Sequence, residues 1–301
     1  MIKSITVTNY LGDSIKLDLA RPELSGFAVT GVEGLGPGKA TINTTEVSTT
    51  NGGLFNSSRL PSRNIVISLR YLWNKTIEES RLLSYKYFPI LKKVKLLIET
   101  DNRKAEIEGY VEANDPKIFS KESGTDISIV CPNPFFYSVE KNITTFYGIE
   151  PMFEFPFSNE SLTEPLLELG AISSYNEEII NYDGDADVGL TLTLHAIGEV
   201  GNITIYNVGT RETMKINVDR IAEYTGSGIK SGDDIVINTV VNNKSVKLIR
   251  EGTVINILNC IDKESDWLSL SKGENVFAYT VEHGIDNIQF SIENQIVYEG
   301  L

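Results

Sequence analysis

Apolar and polar residues alternate along most of this chain, and that period of two, more than any motif, limits what it can fold into. Ile5/Val7 and Ile15/Leu17/Leu19 flank Gly12-Asp13, the pattern of a β-hairpin with one buried face and one wet face. Val94/Leu96/Ile98 and Ala105/Ile107/Gly109/Val111 repeat it around Asp101-Asn102, with Glu106, Glu108, Tyr110 and Glu112 on the wet side. Only residues 76–88, TIEESRLLSYKYF, read as a helix. There Thr76 and Glu79 form a capping box, Leu83 and Tyr87 stand one turn apart, and Pro89 ends the segment.

Over residues 133–160 the alternation loosens into aromatic and proline-bearing sequence, which places a domain boundary near Tyr147 and divides the chain into 1–146 and 147–301. At 301 residues each part is long enough to bury its own core. Beyond the boundary, short strands recur at Leu190/Leu192/Leu194, Ile203/Ile205, Met214/Ile216/Val218, Ile235/Ile237, Val246/Leu248, Val276/Ala278/Thr280 and Ile288/Phe290/Ile292. Turn residues separate them, as in an antiparallel sandwich. The fold class expected is therefore mainly β, with one helix in the first domain.

The most conspicuous loop, residues 31–42 (GVEGLGPGKATI), resembles a phosphate cradle and fails as one. Gly38-Lys39 is present, but Glu33 occupies the first glycine position and Ala40 the metal-binding hydroxyl position, and the segment that follows is β-branched rather than helical. A net charge of -14 argues in the same direction, because nucleic acids are held by clustered cations; no specific nucleic-acid binding is expected. No leader-like or membrane-length apolar run occurs, which suggests a soluble, unexported chain without membrane insertion. Cys131 and Cys260, far apart in sequence, suit two reduced structural thiols.

Catalytic constellations are hard to assemble from two histidines. His195 ends the run GLTLTLH on its polar face, and His283 sits in a turn. Asp183, Asp185 and Asp187 in DGDADVG are the candidate metal ligands. A helix–loop–helix calcium site would need Gly and Glu where Val188 and Leu194 stand, so a polar turn is the simpler reading and no metal or other cofactor is expected. Trp267, with Tyr206, Tyr224 and Tyr279, could stack on a sugar, although Leu268 and Leu270 beside it favour core packing.

Read in order, GVEGLGPGKATI, SSRLPSRNIVISLRYL, ESRLLSYKYF, AEIEGYVEANDPKIFSKESGTDISIVCPNPFFY, GTRETMKINVD, GDDIVINT, KSVKLIREGTVINILNCID and DWLSLSKGENVFAYT resemble the distal tail protein (Dit) family of long-tailed bacteriophages and related prophages. The resemblance implies a virion structural protein of the tail tip or baseplate hub, made in the bacterial host cytoplasm and not an enzyme. It implies a β-barrel-like first domain that closes a homohexameric ring, and a galectin-like second sandwich that points outward. The ring would join the major tail tube protein to a tail-associated hub or fibre protein, with receptor-binding proteins as further partners in host attachment. Gly34, Gly36 and Gly38 would then serve ring geometry, and Lys39 would pair with an acid across the ring seam. Arg59 and Arg63 match the family's basic pair and are expected in inter-subunit or loop-anchoring ion pairs. The alternative is a lectin-like tail-tip protein that recognises cell-wall saccharide through the sandwich and Trp267.

Overall fold

A computed structural model describes residues 1–46, 51–117, 123–151, 170–174 and 177–301. Its chain divides into two compact units, Met1–Val139 with Val297–Leu301, and Glu140–Ile296. This differs from the expected division at 146/147 in one way that matters: the last five residues return to the first unit, a long-range connection that leaves no local signal in sequence.

Unit 1 contains β1 (Ile2–Thr8), β2 (Ser14–Asp18), β3 (Phe27–Glu33), β4 (Thr41–Glu46), β5 (Gly53–Arg59), β6 (Arg63–Tyr71), α1 (Ile77–Tyr87), β7 (Lys93–Thr100), β8 (Lys104–Lys117), β9 (Gly124–Cys131) and the first part of β10 (Phe136–Thr145). Pairing runs β2-β1-β7-β8 and then β8-β9-β6-β3, antiparallel throughout. The terminal strands β2 and β3 lie against each other, so the sheet curls towards closure. Ile5, Val7, Leu17, Ile65, Ile67, Leu96, Ile98, Ile107, Ile127 and Ile129 fill the interior, each from the inward face of an alternating strand. The two hairpins read from sequence are β1–β2 and β7–β8, and the capping box opens α1 as expected.

On the wet face, Glu99 of β7 accepts hydrogen bonds from Ser4 Oγ (2.6 Å), Lys16 Nζ (3.1 Å) and Lys104 Nζ (3.0 Å). Those contacts, the serine first, hold its carboxyl down from 4.5 to about 2. The charged form is favoured by folding, so its contribution is complete above pH 4.5 and lost as pH falls towards 2. Solvent screening limits it to about 1 kcal/mol. In acid titrations followed by circular dichroism, Glu99→Gln is expected to flatten the stability profile in that window; a profile identical to wild type would assign acid sensitivity to other carboxyls.

Unit 2 contains the rest of β10, then β11 (Tyr147–Pro151), β12 (Gly170–Ser174), β13 (Glu177–Tyr182), β14 (Val188–Gly189), β15 (Thr191–Ala196), β16 (Ile203–Asn207), β17 (Glu212–Ile216), α2 (Val218–Thr225), β18 (Asp234–Asn238), β19 (Ser245–Arg250), β20 (Thr253–Asn256), β21 (Ser269–Leu270), β22 (Gly273–Val281) and most of β23 (Ile288–Tyr298). One sheet runs β13-β22-β16-β17, and β23-β15-β18-β19-β20 run side by side in another. The two meet across a core where Phe290 of β23 lies 5.3 Å from Tyr279 of β22, and Phe146 packs edge-on to both.

Helix α2 corrects the sequence reading, which placed Val218 on a strand with Met214 and Ile216. The strand ends at Ile216. Asn217 then caps the helix by accepting from Arg220 N, Val218 and Ile221 face the core, and Gly226 stops it at φ +80°. Eight residues hold only two helical turns, too few for periodicity to overrule the preceding alternation.

Candidate functional site

The glycine-rich loop leaves β3 by a close backbone crossing. Gly34 has φ +83°, and a Cβ there would stand 2.0 Å from the Asn64 carbonyl oxygen. Leu35 is buried behind it and anchors the loop to the core. Gly36 and Gly38 have negative φ or room for a Cβ, so Gly34 is the one of the three that the geometry requires.

Arg63, at the start of β6, is buried beneath that loop. Its guanidinium donates from Nη1 to the Gly34 and Gly36 carbonyls, from Nε to the Pro134 carbonyl and from Nη2 to the Glu299 carbonyl, each at 2.6 Å. It lies 4.6 Å over the Phe136 ring. Burial pulls its pKa below the ordinary arginine value, and the four carbonyl dipoles replace the water a guanidinium would otherwise keep. Burial also pushes the adjacent Cys131 thiol up to about 11, in keeping with a structural role. The expected Arg63 ion pair is therefore replaced by a loop anchor made with backbone carbonyls of its own chain. The C-terminal segment adds Leu301 N donating to Leu35 O (3.0 Å), and Tyr298 under the Arg103 guanidinium at 4.5 Å.

The loop continues into the β4–β5 hairpin, whose two strands are exposed along their whole length. Lys39 and Arg59 flank its base, and neither has an ion-pair partner among the described residues. At the far end of β6, two features escaped the sequence reading. Trp73 is 94% exposed, and α1 carries a second apolar face: Leu83 and Tyr87 pack on the core with Ser80 and Ser84 buried beside them, while Ile77, Leu82 and Tyr85 face solvent.

No protein-family model matches the sequence, and no curated protein matches it. Solved structures do. The Dit protein of phage SPP1 superposes with a TM-score of 0.66 at 12% identity, over 97% of this chain and 98% of that one. A chain of the phage P2 baseplate in its activated conformation with Ca gives a TM-score of 0.50 at 12% identity, over 98% of each. The fold is Dit-like.

Within unit 2 of this Dit-like fold, the remaining candidate residues take ordinary structural places. The DGDADVG turn wraps the Tyr182 side chain, whose hydroxyl donates to the Ala186 carbonyl at 2.9 Å, and Asp185 lies 3.9 Å from Lys272. Among the described residues no three carboxylates, histidines or cysteines converge as a metal site would require. His195 pairs through Nδ1 with Asp234 at 2.6 Å, directly opposite it in the β15–β18 register. Trp267 is half-buried, and Lys244 Nζ sits 4.9 Å from its ring centroid, so one π face is already engaged. In the Dit-like unit 1, by contrast, exposed apolar side chains gather at both ends of β6.

Proposed function

We propose that this protein is a structural adaptor of a phage tail tip. Copies join head to tail through unit 1 into a closed hexameric ring that meets the major tail tube protein on one side and a hub or fibre protein on the other. What carries this reading is the likeness, along 97% of this chain, to a protein described as a paradigm of the hub adsorption apparatus in phages that infect Gram-positive bacteria. The role is structural rather than catalytic, and its place is the virion. A glycan-binding role would rest on Trp267, whose engagement by Lys244 gives it no support.

Ring closure requires that each copy present two different patches, repeated at every seam. Light scattering with negative-stain imaging is expected to give particles of six times the 33.4 kDa chain mass with a central opening. A monomer that stays monomeric when the tail tube protein is added overturns the proposal.

A further inference from the structure

We propose that the β4–β5 hairpin of one copy seats on the Trp73–α1 face of the next, with Phe55 as the knob and the groove between Trp73 and Ile77 as the hole. This rests on the ring reading and names the two surfaces that would make its seam.

The hairpin has no interior of its own. Two-stranded ribbons with both faces in water are marginal, and this one carries Ile42, Leu54 and Phe55 at 62%, 63% and 64% exposure. Its register sorts them. Ile42 faces Ser58 and Asn43 faces Ser57, but a bulge then sets Thr44 opposite Phe55 and Thr45 opposite Leu54. Ile42, Thr44 and Phe55 therefore share one face, which the unbulged register would have split. The other face is tied by Asn43 Nδ2 to Ser57 Oγ (3.0 Å) and Asn56 Nδ2 to Thr45 Oγ1 (2.6 Å). Ile42 and Phe55 thus stand together on one face, with Thr44 and Ser58 beside them, while Leu54 lies with the polar cross-links on the other.

The receiving surface lies around Trp73. A groove of about 380 Å³ is lined by Tyr71, Leu72, Trp73 and Ile77, with Arg70, Lys75 and Ser123 at its polar side, which leaves room for an aromatic side chain. Tyr85, with Arg81 5.9 Å from its ring centroid, extends the apolar surface along α1.

These surfaces cannot cover each other within one chain. The hairpin enters β6 at Arg63 and Trp73 follows its end at Tyr71, so the length of that strand, roughly 25 Å at about 3.3 Å per residue, separates them. A second copy satisfies both, and charge sets the orientation. Lys39 and Arg59 at the hairpin base have no ion-pair partner among the described residues, and Glu46 ends the strand β4; on the receiving side Glu78, paired with Arg81, and Glu79, in the capping box, open the helix, and Arg70 and Lys75 border the groove. Base cations towards the helix start and Glu46 towards Lys75 give opposite signs at both ends.

Two full-length variants test this against wild type: a hairpin variant, Ile42→Glu with Phe55→Glu, and a face variant, Trp73→Glu with Ile77→Glu. All four side chains are exposed, so melting temperatures should stay near wild type. Each variant alone is expected to be a monomer where wild type is a ring. An equimolar mixture retains one intact hairpin and one intact face on different chains, so it should form a heterodimer of twice the 33.4 kDa chain mass that cannot propagate. Rings from either variant would overturn the seam assignment while leaving the ring reading intact. Monomeric variants that give no heterodimer on mixing would also overturn it. A wild-type chain that never associates would remove the ring reading and this seam together.

Discussion

Arg63→Ala is expected to lower the stability of unit 1 by about 3–5 kcal/mol, the range for removing one partner from a buried charged network. The loss comes from four part-buried carbonyls, on Gly34, Gly36, Pro134 and Glu299, left without their charged donor, and from the stacking on Phe136. Arg63→Lys should recover only part of it, because one ammonium cannot reproduce a planar fork that reaches both sides of the loop. Urea unfolding followed by circular dichroism measures the loss, and hydrogen exchange should place it at residues 34–36 and 297–301, with unit 2 strands unaffected. A midpoint within experimental error of wild type would mean that neither the hydrogen bonds nor the stacking on Phe136 holds the loop, and that the buried Leu35 does.

The second large effect is a contrast inside one loop. Gly34→Ala should destabilise by roughly 3 kcal/mol or more, since the new Cβ meets the Asn64 carbonyl at 2.0 Å on a backbone with φ +83°. Both faults act where β3 pairs with β6, next to Glu33 opposite Val66. Gly36→Ala and Gly38→Ala should each stay within about 0.5 kcal/mol: nothing lies within 4 Å of the first, and the second meets Leu60 at an ordinary 3.5 Å. Thermal melts of the three variants side by side decide it; equal losses at all three positions would show that the loop's flexibility, not one crossing, is what matters.

The strands were legible because burial on one face of a sheet writes itself as alternation: Ile65, Ile67 and Leu69 face in, while Val66, Ser68 and Arg70 face out. The helix α1 was legible from its cap, because Thr76 and Glu79 are three residues apart and their interaction is local. What the sequence hid is long-range. Nothing near Arg63 shows that its fourth acceptor will be Glu299, 236 positions away, so a carboxylate partner was the natural expectation and a carbonyl the outcome. The second apolar face of α1 was hidden for the opposite reason. An amphipathic helix is read for its buried stripe, and that stripe, Leu83 and Tyr87, does pack on the core, so the solvent-facing Ile77, Leu82 and Tyr85 drew no notice.

The return of residues 297–301 to unit 1 sets an order of events in synthesis. Most chains let the first domain finish while the rest is still being made. Here the Arg63 cage lacks an acceptor until Glu299 has left the ribosome, and Leu35 lacks its donor until Leu301 has. A polypeptide cut short anywhere beyond residue 139 therefore carries a first unit with an open latch beside the loop that leads to the hairpin. Fragments that stop short of Glu299 are thereby marked by their own unfinished packing.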